Sequence, residues 1–320
     1  MLTFIIRRLL WFPVLLILVS FITFALGVYG PGDPVQVMVG LHARPEIVER
    51  VKHELGLDQP FLVQYLNYVG NVLQGNFGYS IVKYQGQSVS SLLAQRLPVT
   101  IQLNLISLAW SVPLGIVLGV ISGVRRDSTF DVLARVVVIT GISLPIIALL
   151  PVLTFAFSRK HEFGLFDLGP ILPVGGWGGM FSDKIILPAF IEGLGTLAAF
   201  TRQTRAGMID ELGKDYVRTA RAKGLTQQLV VYRHALRNAL IPLTTIGGFL
   251  LASLVGGSLL VENWYGIPGV GQLAFQSLFS RDYYIIMAVT LLGAAAFAFA
   301  NLVIDVAYVF INPTIRYSNQ

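Results

Sequence analysis

The sequence predicts an all-α protein that crosses a membrane with six transmembrane helices. Charged residues make up 12% of its 320 positions, about half of the roughly 25% usual in soluble domains. Apolar residues make up 54%, which leaves too little polar surface to cover a soluble globule. The apolar residues are also concentrated in long runs, and a run of about 20 residues crosses the hydrocarbon core as a helix. Lipid is therefore the predicted solvent.

The first apolar run, Leu9–Tyr29, contains no charged residue. It follows Arg7 and Arg8, as a secretory signal would, but it is longer than the apolar core of a cleaved signal. We therefore predict that it remains as a membrane anchor. Five further runs complete the six spans: Val99–Ile121, Val132–Phe157, Ile185–Phe200, Ile241–Val261 and Ile285–Val309.

Lys and Arg are distributed unevenly around these six spans. With the N-terminus in the cytoplasm, fourteen of them fall on the cytoplasmic side and four fall in the short outside loops. The long segment before the second span is left out of this comparison because long segments translocate largely regardless of charge. The excess of positive charge predicts that both termini lie in the cytoplasm.

An extracytoplasmic segment, residues 30–95, is predicted to contain two amphipathic helices. Pro45 is suited to open the first helix and Gly56 to close it. Pro60 is suited to open the second, which carries its apolar residues on one face and ends near Gly75. Two helices lying over the mouth of the membrane domain are the simplest arrangement.

The predicted organisation has further parts on either side of this segment. They are residues 1–29 with the first span, residues 96–309 with the five-helix transmembrane domain, and residues 310–320 as a cytoplasmic tail. The outside stretch Gly164–Gly179 is rich in Gly and Pro and is predicted to be an ordered loop without regular structure.

The sequence lacks the common motifs of ATP binding and of hydrolysis. It contains no G-x-x-x-x-G-K-[ST], no H-E-x-x-H and no G-x-S-x-G, which argues against a phosphate-binding loop and against an intramembrane hydrolase. Cysteine is absent, so no thiolate nucleophile or cysteine metal site is expected. The net charge of +6 is explained by membrane topology rather than by nucleic acid. We expect no cofactor on this chain.

One predicted cytoplasmic segment, residues 202–240, differs from a plain connector. Its acidic residues precede most of its basic ones, an order that a helix macrodipole favours. The acidic residues are Asp210, Glu211 and Asp215, and the basic residues that follow are Arg218, Arg221 and Lys223. This pattern predicts a helix in the middle of the segment.

Two helices are predicted to meet there at a glycine elbow. Gly224 is suited to the left-handed position after the first helix, and Thr226 can cap the second. Because Ala220 and Ala222 are small, the elbow could enter a groove on another protein while the neighbouring bases supply polar contacts. The alternative is a basic loop that rests on anionic lipid, and the residues alone do not decide between the two.

The segment DYVRTARAKGL, followed by RHALRNALIPL, resembles the cytoplasmic "EAA" loop of ABC-transporter membrane subunits, in particular those of the dipeptide and oligopeptide permease family. The likeness extends along nearly the whole chain. It includes RRLL, PGDPV, LGLDQPFLVQYLNYVGNVLQGNFGYS, LPVTIQLNLISL, YGIPGVGQL, RDYYIIMAV and NLVIDVAYVFINPTIRY. A single short motif would be weak, whereas this ordered series is strong.

This resemblance implies the fold of a type I ABC importer permease that moves short peptides. In that family the loop matching Asp215–Gly224 forms a coupling helix that docks on a separate ATP-binding subunit. The residues implicated by this match are Asp215, Arg218, Ala220, Arg221, Ala222, Lys223 and Gly224. Asp215 stands where the name of the loop expects Glu, which is a mild departure.

The resemblance also implies partners and a location. The partners are a second, different permease subunit, two ATP-binding subunits or domains that hold ATP and Mg, and an extracytoplasmic solute-binding protein. The location is a prokaryotic plasma membrane. Related permeases carry sugars or metal chelates, so the substrate class stays open. A self-sufficient secondary carrier is the less favoured alternative, because few ionisable residues fall inside the predicted spans.

Polar and small residues line one face of the second predicted span. They are Thr100, Asn104, Ser107 and Ser111, which recur at i, i+4, i+7 and i+11. One interpretation is close helix packing with hydrogen bonds between helices. The other is a wall of the translocation path, and the sequence leaves both open.

Overall fold

The computed structural model describes residues 2–29, 35, 39, 44–54, 56–158, 161–163, 166–168, 172–173 and 175–311. Helices account for most of these residues. They are α1 (Leu2–Tyr29), α2 (Pro45–Glu54), α3 (Phe61–Leu73), α4 (Val89–Val124), α5 (Thr129–Ser143), α6 (Ile146–Ser158), α7 (Ile186–Leu212), α8 (Asp215–Ala222), α9 (Gln227–Ala239), α10 (Ile241–Gly256), α11 (Leu259–Tyr265), α12 (Val270–Ser280) and α13 (Tyr283–Ile311). A 3₁₀ turn, Asp183–Ile185, precedes α7, and α9 contains a π-helical stretch, Val230–Ala235.

Four helices in the described part of the chain are long and apolar enough to cross a membrane, namely α1, α4, α7 and α13. A fifth candidate is the pair α9 and α10, whose axes are bent by 45°. The predicted third span is divided between α5 and α6, which have 15 and 13 residues and are each short for a crossing. The break falls at Leu144, which precedes Pro145 and has an extended backbone. Proline disfavours helical backbone angles in the residue before it, and this explains the break.

Three helices extend well beyond their predicted spans. α1 begins at Leu2 rather than at Leu9, α4 begins at Val89 rather than at Val99, and α7 continues to Leu212, inside the segment predicted to be cytoplasmic. Hydropathy marks the part of a helix that lipid surrounds, whereas the helix itself continues until a residue ends it. Gly213 follows the last residue of α7.

Helices α4 and α7 form the centre of the bundle. Glycine on α4 lets the two backbones approach closely, since a Cβ at Gly119 would lie 2.5 Å from the Cβ of Thr204. α7 is the most enclosed of the four long spans, with 56% of its apolar window buried. α5 is tied to α7 by an ion pair in which Arg205 Nε lies 2.6 Å from Asp131 Oδ1. Around this centre, α13 packs against α1 and α10.

The two helices predicted in the segment after the first span are confirmed as α2 and α3. α3 packs on α1, where the hydroxyls of Tyr65 and Ser20 lie 2.9 Å apart and the rings of Tyr68 and Phe24 stack at 5.2 Å. This contact fixes the segment against the first span. The part of the segment that precedes α2 lies outside the described residues, apart from residues 35, 39 and 44.

A short antiparallel hairpin occupies part of the loop predicted to have no regular structure. Strand β1, His161–Phe163, pairs with β2, Phe166–Leu168. The prediction is therefore wrong for residues 166–168. Pairing with β1 places residues 166–168 in a strand, and the Gly- and Pro-rich composition of the loop gives no local signal for that pairing. The predicted tail, residues 310–320, lies outside the described residues except for its first two.

Candidate functional site

The predicted glycine elbow is present beyond the end of α7. Helix α8 precedes it, Gly224 has a φ of +78°, and α9 begins at Gln227. A Cβ at Gly224 would meet no atom within 4 Å, so the backbone conformation rather than space favours glycine there. Thr226 occupies the N-cap position of α9, but its side chain makes no capping hydrogen bond. The prediction of a side-chain cap at Thr226 is wrong, and its carbonyl instead accepts from Val230 N at 3.1 Å.

One face of the elbow is attached to the bundle by apolar contacts. Val217, Ala220 and Val230 form a buried cluster, and Leu212 packs against it. Ala220 therefore lies inward, and its methyl group fills this cluster rather than an outer surface. The elbow is held as a folded unit against the ends of α7 and α9.

A polar network joins the same three helices. Glu211, which is 8% exposed, lies 2.5 Å from Tyr216 Oη and 2.5 Å from Lys214 Nζ, and both groups donate to its carboxylate. Asn238 Nδ2 donates to Tyr216 Oη at 3.1 Å. The bond to Glu211 raises the pKa of Lys214, and burial raises the pKa of Tyr216. Sequence reasoning missed this network, because Tyr216 and Asn238 belong to no local pattern that links them.

The other face of the elbow is exposed without interruption from residue 221 to residue 229. Six of the seven residues implicated by the family resemblance are exposed, namely Asp215, Arg218, Arg221, Ala222, Lys223 and Gly224. Arg218 Nη1 lies 3.2 Å from Asp215 Oδ1 in a surface ion pair. Within the described part of the chain, Arg221 and Lys223 have no acidic partner. The elbow thus presents an exposed, positively charged surface.

The polar stripe predicted on the second span lies inside the chain. Its members are Thr100, Asn104, Ser107 and Ser111, and all four are buried. Thr100 Oγ1 donates to Glu262 Oε1 at 2.9 Å, and Asn104 Nδ2 donates to the carbonyl of Ser253 at 3.1 Å. These contacts support helix packing as the role of the stripe. Its role as a wall of the translocation path stays a prediction.

Two buried carboxylates, which sequence reasoning missed, connect segments of the chain outside the elbow. Glu262 Oε2 accepts from Gln272 N at 2.9 Å, in addition to the bond that Oε1 accepts from Thr100. Asp282 Oδ2 accepts from Ser80 Oγ at 2.5 Å and from Ile81 N at 3.2 Å. Both carboxylates are fully buried. We name the two groups and their partners the carboxylate frame.

Comparison with known proteins covers nearly the whole chain. Residues 115–317 match the family described as binding-protein-dependent transport system inner membrane component, and residues 1–104 match the family model for the N-terminal part of such membrane components. The chain is 39% identical over 319 residues to the glutathione transport system permease protein GsiC of Escherichia coli strain K12. The GsiC proteins of Shigella dysenteriae serotype 1 and Salmonella typhimurium are similar at the same identity. Each match covers 99% of this chain and 100% of the relative.

Proposed function

The chain belongs to the family of inner membrane components of binding-protein-dependent transport systems, and we propose that it forms part of the path by which an ATP-driven importer takes up short peptides. As a member of this family, the chain is an ABC-transporter permease of the inner membrane. The relatives named for glutathione transport support a peptide substrate, because glutathione is itself a short peptide. Oligosaccharide or metal chelate is the alternative cargo.

The proposed topology has six spans with both termini in the cytoplasm. The four long helices and the bent pair α9 and α10 supply five spans, and α5 with α6 would together supply the third in chain order. The excess of Lys and Arg on one side supports the orientation. In this topology the elbow faces the cytoplasm, and α2 and α3 face the outside.

The observation that carries the mechanism is the two-sided elbow. Its inner face is fastened to α7 and α9 by the apolar cluster and by the network around Glu211, while its outer face is exposed and positively charged. A protein that binds the outer face and moves would therefore also move α7, the helix at the centre of the bundle. We infer that this protein is an ATP-binding subunit that holds ATP and Mg.

The full assembly in this proposal contains four kinds of component. This chain pairs with a second, different permease subunit, and two ATP-binding subunits or domains dock on the two elbows. An extracytoplasmic binding protein delivers the peptide. This chain itself contributes the path and the coupling surface, with no catalytic residue of its own.

The coupling role is tested by Gly224→Val in the assembled transporter reconstituted in liposomes. A β-branched side chain resists a positive φ, so the variant should insert normally but lose peptide uptake. Gly86→Val is the matched control, because Gly86 also has a φ of +78° and open space around it but lies far from the elbow. Normal uptake by Gly224→Val would contradict the coupling role.

A second experiment separates the importer from the secondary carrier. Affinity purification of this chain in mild detergent should recover an ATP-hydrolysing subunit and a second permease. Liposomes that contain this chain alone should show no uptake. Full uptake by the single chain would overturn the importer proposal in favour of a carrier.

A further inference from the structure

One face of the central helix α7 is left uncovered by the rest of the chain. α4 covers the opposite side, where glycine allows close approach. The uncovered face runs along the helix with residues at i, i+3, i+7, i+10 and i+14, and each of them is at least partly exposed. These residues are Glu192, Gly195, Ala199, Arg202 and Ala206.

This face is unsuited to contact with lipid. It carries an acid and a base within a helix that is long and apolar enough to span the membrane. An ionised Asp or Glu side chain against hydrocarbon is costly, so ionisable residues in spans face a protein interior or a water-filled cavity. Its small residues, Gly195 and Ala199, leave room beside the charges. The face is therefore expected to lie against protein or water in the assembled transporter rather than against lipid.

Glu192 is the acid on this face, and no basic side chain pairs with it in the described part of the chain. In the described part of the protein, no donor reaches its Oε2 atom, although that atom is enclosed. Among the other enclosed acids, Asp131 pairs with Arg205, and Glu262 accepts from Thr100 and Gln272. Asp282 also keeps one oxygen without a donor, but its other oxygen accepts from Ser80 and Ile81. A carboxylate that is left without a donor inside a span indicates a cationic partner supplied from outside the chain.

We propose that Glu192 binds the amino group of the transported peptide on the face of α7 that lines the path. This inference rests on the proposed function. A carboxylate only accepts hydrogen bonds, and an ammonium group offers three donors and a positive charge. A divalent metal fits less well, because such ions need several oxygen ligands. Among the residues that the structure describes, no three acidic or histidine side chains are placed to hold a metal ion together.

Arg202 adds a complementary charge to the same face. It lies ten positions after Glu192, or about 15 Å along the helix axis. An extended peptide spans about 3.3–3.6 Å per residue, so the backbone of a di- or tripeptide is shorter than the distance between these two positions. The face offers first an acid and then a base to a molecule that carries both an amine and a carboxylate.

The first experiment measures uptake of trialanine by the reconstituted transporter at a limiting peptide concentration. Glu192→Gln keeps the shape of the side chain and removes its charge, and we expect uptake to fall about tenfold, as expected for loss of a hydrogen bond to a charged group. Asp183→Asn, near the start of the same helix, is the matched control and should leave uptake unchanged. Stimulation of ATP hydrolysis by the loaded binding protein should persist in both variants.

The second experiment uses the absence of cysteine from this chain. In a complex whose other subunits carry no reactive cysteine, Glu192→Cys should react with water-soluble methanethiosulfonates, and excess trialanine should slow that reaction. The anionic sulfonatoethyl reagent should restore uptake, whereas the cationic trimethylammonioethyl reagent should not. Phe190→Cys, on a different face of α7, is the control for reaction and for protection.

The outcomes separate the two proposals. If the unmodified transporter takes up no trialanine, the peptide function fails, while the reactivity of the Glu192→Cys variant still reports whether the face lines a water-filled path. If the transporter works and Glu192→Gln works equally well, the contact with the amine is overturned. Failure of Glu192→Gln to insert or assemble would also overturn it, because the carboxylate would then serve the structure of the complex.

Discussion

The elbow and the carboxylate frame are held together in different ways. The elbow is fastened by an apolar cluster and by the network around Glu211 on its inner face, and its ion pair between Asp215 and Arg218 is on the surface. In the carboxylate frame, Glu262 and Asp282 are fully buried and accept hydrogen bonds from backbone N–H groups as well as from hydroxyls. The exposed elbow is suited to binding a partner protein, and the buried frame is suited to holding the ends of the helices in place.

The two regions also differ in how far along the chain their contacts reach. Glu262 bonds to Thr100 across 162 positions, and Asp282 bonds to Ser80 across 202 positions. In the elbow, the bond between Tyr216 and Asn238 spans 22 positions. Local contacts can stay intact while the elbow moves as a unit. Contacts between distant segments must break if those segments separate, so the frame resists motion.

The largest effect on stability is expected in the frame. Glu262→Ala removes the acceptor for Thr100 Oγ1, which is fully buried, and for Gln272 N, which is partly buried. We expect the free energy of unfolding to fall by about 3 kcal/mol, measured by denaturant titration in mixed micelles. Glu262→Gln keeps one acceptor oxygen and should lose less. Equal stability of the alanine variant would show that the frame does not hold the helix ends.

A much smaller effect on stability is expected in the elbow. Asp215→Asn breaks the ion pair with Arg218. The side chain of Asp215 is 94% exposed and that of Arg218 is 74% exposed, and exposed ion pairs contribute little to the free energy of unfolding. The thermal unfolding midpoint should shift by no more than about 2 °C. A shift as large as that of Glu262→Ala would contradict the contrast between the two regions.

The smallest effect concerns a second exposed pair, in which His53 Nδ1 lies 2.6 Å from Asp58 Oδ2. The hydrogen bond raises the pKa of His53 above its ordinary value of 6.5 and lowers that of Asp58. The charged pair thus stabilises the end of α2 fully below pH 6.5, provided that Asp58 is ionised, and this stabilisation is lost as the pH rises through the raised pKa. Amide exchange of α2, corrected for intrinsic rates, should show a small loss of protection over that range.

The control for this pH dependence is His53→Gln, which cannot titrate. Its α2 protection should stay constant over the same pH range. A pH-dependent loss of equal size in the variant would show that another group is responsible.

Much of the fold follows from local sequence patterns. The apolar run at Leu9–Tyr29, the proline starts of α2 and α3, and the glycine at 224 all correspond to elements that the structure confirms. Such features depend on hydropathy and on backbone preferences within a few residues. The prediction was wrong at Phe166–Leu168, which pairs with His161–Phe163 as a strand, because such pairing depends on a second segment and not on local composition.

The candidate sites show where prediction from sequence ends. The exposed bases of the elbow were predicted because they cluster in one segment. The network around Glu211 was missed, since Tyr216 and Asn238 meet only after α8 and α9 fold together. The uncovered face of α7 was missed for a similar reason, because coverage depends on where α4 packs.

The sequence by itself determined that this chain is a membrane protein, which runs of residues are apolar enough to cross the membrane, and where a positively charged elbow interrupts the helices. Those properties arise from the transfer of apolar side chains out of water and from the conformational preferences of glycine and proline. Only the tertiary structure decided which polar groups are satisfied inside the chain and which are left without a hydrogen-bond partner. Thr100 is bonded to Glu262 while Glu192 keeps an oxygen without a donor, because satisfaction depends on neighbours that lie far away in sequence.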